Sequence, residues 1–169
     1  MILTAGQALH GQAEEALRVV PLVRGQQVEV SFELRDGYTS DVRAAIESGL
    51  KTTFTYSVDL RLDVAGFFDR QIASAVVSNT VEYSNLTRKH TIERRIDGRL
   101  DQQIVTQDEE VVREWLTEMA ELPLFPTSLL QRNREYYVRV NATARPSHGS
   151  ILWPFGSGTS AQAKFTFIR

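Results

Sequence analysis

The residues of this chain that could do chemistry are few and scattered. Three histidines, His10, His90 and His148, lie far apart, and none stands with a second histidine at metal-ligand spacing. They are read as surface histidines. There is no cysteine, which removes disulfides, thiolate ligands and thiol nucleophiles. No serine occupies a Gly-x-Ser-x-Gly elbow, and Gly156-Ser157-Gly158 lacks the lysine and the following helix of a phosphate loop. Asp59 and Asp63 share one face of a strand but stand about 13 Å apart, too far for two-carboxylate glycoside chemistry on their own. The triplet Asp108-Glu109-Glu110 suits the start of a helix, where the dipole favours negative charge. No catalytic, cofactor-binding or metal-binding residues are expected.

Two aromatic residues remain. Trp153 and Phe155 stand in a loop, Ser147 to Ser160, built of glycine, serine and proline. Large rings in such a loop are costly to leave in water without cause. Either they fold back and plug the end of the domain, or they project as a partner contact, against a protein or peripherally against a membrane. Trp115, on a helical apolar stripe, is read as core.

The elements that must position these residues are mostly strands. In Phe54 to Val64 apolar and polar residues alternate without a break, the period of a strand with one dry face. Phe54, Tyr56, Val58, Leu60 and Leu62 are expected to face the core. Ala16 to Val23, Val28 to Leu34, Ile72 to Tyr83 and Tyr136 to Arg145 read as further strands, and Ala163 to Phe167 as the last. Thr91 to Ile96 and Leu100 to Val105 flank Asp97-Gly98, a hairpin signal. Thr39 or Ser40 can cap a short helix that Gly49 ends. A second helix is expected from a capping box at Thr106-Gln107-Asp108-Glu109, with Val111, Val112, Trp115, Leu116, Met119 and Ala120 on one face and Pro123 as its stop.

These elements predict a mainly β (α+β) fold: an antiparallel β-sandwich of about eight strands with two short helices. Residues 16–169 form one domain, large enough to fold without staples. Residues 1–15 form an N-terminal extension or the remnant of a signal peptide, with Gly11 and Ala13 as a small-x-small cleavage site but no basic start. The net charge of −2 offers no footprint for nucleic acid. No stretch has the roughly 20 apolar residues of a membrane span.

Three segments carry a family likeness: Val28 to Leu34, Ala45-Ile46-Glu47-Ser48-Gly49-Leu50, and Phe54-Thr55-Tyr56. Together they resemble the bacterial domain-of-unknown-function family 4390, over roughly residues 16 to 169. Tyr83-Ser84-Asn85-Leu86-Thr87-Arg88 is similar to its middle motif, with His90 where a tyrosine usually follows. In the tail, Leu152 to Phe155 is similar only in bearing a tryptophan. The resemblance implies an exported envelope protein and carries over no catalytic residue. The expected function is a non-enzymatic interaction or assembly module of a bacterial cell envelope, periplasmic or otherwise extracytoplasmic, with a protein partner and no cofactor. The alternative is a small-molecule or lipid carrier with a cavity between Phe54, Tyr56, Phe165 and Phe167.

Overall fold

A computed structural model describes residues 16–66, 68–146 and 158–168, without the side chains of residues 145 and 146. Among these residues nine strands form two antiparallel sheets, not closed into a barrel. Strands β1 (Leu17–Arg24), β2 (Gln27–Leu34) and β7 (Glu118–Pro126) make a three-stranded sheet in the order β1-β2-β7. The larger sheet runs β6-β5-β4-β3-β8-β9. Its members are β3 (Thr52–Leu62), β4 (Arg70–Ser84), β5 (Lys89–Ile96), β6 (Arg99–Thr106), β8 (Arg134–Pro146) and β9 (Thr159–Phe167). Helix α1 (Ser40–Glu47) lies between β2 and β3, and α2 (Glu109–Thr117) between β6 and β7.

The alternating strand does what its period requires. On β3, Phe54, Tyr56, Val58 and Leu60 are fully buried and Leu62 nearly so, while Ser57 is exposed. β3 is central, paired along its length with β4 and β8. The two sheets meet through one apolar core, where the rings of Phe32 on β2 and Tyr56 on β3 pack at 4.7 Å. Each such side chain contributes roughly 1.5–3 kcal/mol by leaving water.

Local signals account for the turns. Asp97 (φ 50°) and Gly98 (φ 78°) both take the left-handed region, as a two-residue hairpin between right-twisted strands demands. Thr39 caps α1, accepting from the Val42 amide, and Val42 and Ile46 bury its inner stripe. Gly49 (φ 86°) ends that helix. The amides of Gly49 and Leu50 return to the carbonyls of Ile46 and Ala45.

Two expectations are corrected around α2. Its cap is Asp108, whose Oδ1 accepts from the Glu110 amide at 2.9 Å; Thr106 instead holds the Asp108 amide. The helix also ends at Thr117, not at Pro123, because residues 118–126 form the strand β7. The buried residues of β7, Met119, Leu122 and Phe125, are three apart, a spacing that imitates a helix. The spacing arises from two register shifts against β2, between Val28 and Glu29 and between Val30 and Phe32. Pro123 is tolerated because β7 is an edge strand, with no neighbour to receive its missing N–H. With β7 the described residues hold nine strands, where the sequence suggested about eight.

Candidate functional site

Trp153 and Phe155, the expected contact residues, lie outside the described residues, as do His10 and His148. His90 does not lie at the surface. On β5 it shares the inner face with Ile92, is 9% exposed, and packs against Tyr83, the rings tilted at 39° with their centres 4.7 Å apart. Its Nδ1 is buried without a partner, and burial pushes its pKa down. Glu109, a backbone bond to Thr106 and Glu47 oppose that shift.

Most of the candidate carboxylates are engaged in ion pairs or caps. Asp63 and Glu135 both pair with Lys164. Glu110 pairs with Arg113 at 2.6 Å. Glu109 pairs with Arg43 of α1 at 2.9 Å, and Tyr38 sits beside it with its pKa pushed up to about 12, chiefly by burial. Among the described residues no three His, Cys, Asp or Glu side chains converge to hold a metal.

The chemistry that does gather lies where α2 turns into β7. The backbone there leaves the helix directly for an extended Glu118, without a glycine cap. Side chains from the large sheet take the exposed carbonyls instead. Tyr56 Oη donates to Leu116 O at 2.6 Å, and Asn79 Nδ2 donates to Trp115 O at 2.9 Å. Asn79 is fully buried, and its Oδ1 accepts from Arg94 Nε at 3.3 Å. The Arg94 guanidinium then lies over the Trp115 ring, 4.4 Å from its centre. Burial pushes the Arg94 pKa down, against the attraction of Asp101. Trp115 is only half-buried, packed against the core rather than inside it, and its Nε1 is enclosed without an acceptor. A cleft of about 490 Å³ opens beside this cluster, between α2 and the three-stranded sheet. The sequence shows no motif for it; the one available signal was an asparagine, Asn79, at an inward position of an apolar strand.

A second feature is the edge strand β6. It pairs only with β5, and residues 99–105 are all exposed. Leu100, Ile104 and Val105 are 53%, 40% and 59% exposed. The other edges are managed differently: β7 carries Pro123 and two register shifts, and β9 runs beside β1. On β6 one irregularity, opposite Arg94 and Arg95, interrupts only the end near the turn.

The family model for Domain of unknown function (DUF4390) matches residues 15–148. No curated protein and no solved structure matches the chain.

Proposed function

The chain belongs to the DUF4390 family, and we propose that it is a non-enzymatic interaction module whose partner pairs along β6. One observation carries this reading: β6 is a sheet edge paired on one side only, irregular only near its turn, with three exposed apolar side chains, Leu100, Ile104 and Val105. Unpaired N–H and C=O groups along such an edge accept an extended segment, and flanking side chains select it. Of the carboxylates singled out in the sequence, Asp63, Glu109 and Glu110 hold salt bridges and Asp108 caps a helix, which supports a non-enzymatic role. We place the module in a bacterial cell envelope, outside the cytoplasm, as its family likeness suggests. No helix among the described residues is long and apolar enough to cross a membrane.

The test is a photo-crosslinking residue at Val105, with Ser57 on the open face of β3 as the control position. In the native host, Val105 should capture one extracytoplasmic protein that Ser57 does not. Leu100→Lys with Val105→Lys should abolish that capture and leave the melting temperature nearly unchanged, since both side chains are exposed. Equal capture from Ser57, or capture that survives the double substitution, would refute the assignment.

A further inference from the structure

We infer that the cleft beside α2 binds a small amphipathic carboxylate, with Arg94 holding the carboxylate and the apolar wall taking the chain. Its volume of about 490 Å³ falls within the usual range of ligand sites. The walls include Val20, Phe32, Val111, Met119 and Ala120, which would cover a short alkyl chain.

The polar end is built by Arg94. Its Nε is committed to Asn79 Oδ1, and its plane is held over the Trp115 ring. Asn79 is in turn fixed by the Trp115 carbonyl and by Met119 Sδ at 3.2 Å. The guanidinium is therefore positioned before any ligand arrives, and its two terminal nitrogens make no hydrogen bond among the described residues. That free fork matches a carboxylate.

Arg24, Arg43, Arg95 and Arg113 each form an ion pair with a glutamate. Arg94 forms none among the described residues, and neither does Arg18, which lines the same cleft. Asp101 attracts Arg94 without forming an ion pair, and a half-buried cation with no ion-pair partner gains more from an incoming anion than a solvated one does. Glu33, Glu114 and Glu118 also line the cleft; Arg35 pairs with Glu33, and Arg113, which already holds Glu110, pairs with Glu114 and Glu118. The acidic charge left over opposes a doubly charged phosphate more than a singly charged carboxylate. The site lies outside the β6 edge, so its occupancy and partner binding there can be tested separately.

The experiment uses Trp153→Phe protein, in which Trp115 is the one tryptophan left. Decanoate, kept below its micelle concentration, is titrated against Trp115 fluorescence and by calorimetry. Decanol, decyltrimethylammonium and decyl phosphate serve as comparison ligands. Saturable one-to-one binding of decanoate is expected, with the alcohol and the ammonium much weaker. Arg94→Gln should weaken decanoate by about tenfold or more. Arg94 also packs on Trp115, so a second variant is needed that leaves it alone. Val20→Glu, at a wall position already 45% exposed, should keep the melting temperature and repel the carboxylate. No saturable binding, equal binding of alcohol and acid, tighter binding of decyl phosphate, or decanoate affinity unchanged in both variants would each overturn the assignment.

Discussion

Tyr56, at the centre of β3, donates its hydroxyl to the backbone carbonyl of Leu116 in the last turn of α2, at 2.6 Å. One side chain thus fills the core between the sheets and ends a helix that has no glycine to end it. Tyr56→Phe keeps the ring but strands a buried carbonyl, so it should lower stability by about 1–3 kcal/mol. Denaturant unfolding with an unchanged m-value would confirm that the loss is local to this bond.

Asn79 completes the same helix end through the Trp115 carbonyl. Asn79→Ala should also destabilise by about 1–3 kcal/mol. The two losses should not add. Once one carbonyl is released the end of α2 frays, and the second bond is worth less. A double-mutant cycle with Tyr56→Phe should show a coupling of about 0.5 kcal/mol or more; strict additivity would mean that the two caps act independently.

The faces of the large sheet should respond very differently to truncation. Phe54 is fully buried, and Phe54→Ala should cost about 3–5 kcal/mol. Val76, on β4, is 40% exposed, and Val76→Ala should stay within about 0.5 kcal/mol. Thermal or chemical unfolding of the two variants compares them directly. A large loss at Val76 would mean that the outer face is covered in solution.

His90 should make the fold acid-sensitive before the carboxylates titrate. Its folded pKa lies below its ordinary value of 6.5, because burial disfavours the charged ring. The unfolded chain therefore binds the proton more readily. The neutral ring's contribution is fully present above about pH 6.5 and declines as pH falls from there towards the folded pKa. His90→Phe keeps a ring against Tyr83 and removes the proton. Melting curves between about pH 7 and 5.5 should slope less for the variant than for the parent protein.

The strand alternation in Phe54 to Leu62 and Tyr136 to Ala144, and the turn residues Gly49 and Asp97-Gly98, were legible because each follows from a local rule. The pleat sends alternate side chains to opposite faces. Positive φ costs glycine little. The inner face of β3 and the end of α1 accordingly stand where the sequence alone places them.

Other features were settled only when distant elements met. Met119 and Ala120 read as helix because irregular pairing with β2 imposed a three-residue spacing on a strand, and pairing is a property of two segments. His90 read as a surface residue because a single polar side chain in a charged hairpin carries no sign of which face it takes. Its burial follows from the neighbours of β5, with Tyr83 packed against it. The cluster of Asn79, Arg94 and Trp115 draws on β4, β5 and α2, with no spacing to connect them. Composition and periodicity determined that this chain is a two-faced antiparallel β protein. Long-range packing alone decided which polar groups were enclosed together, because desolvation depends on everything that surrounds a group and not on its place in the chain.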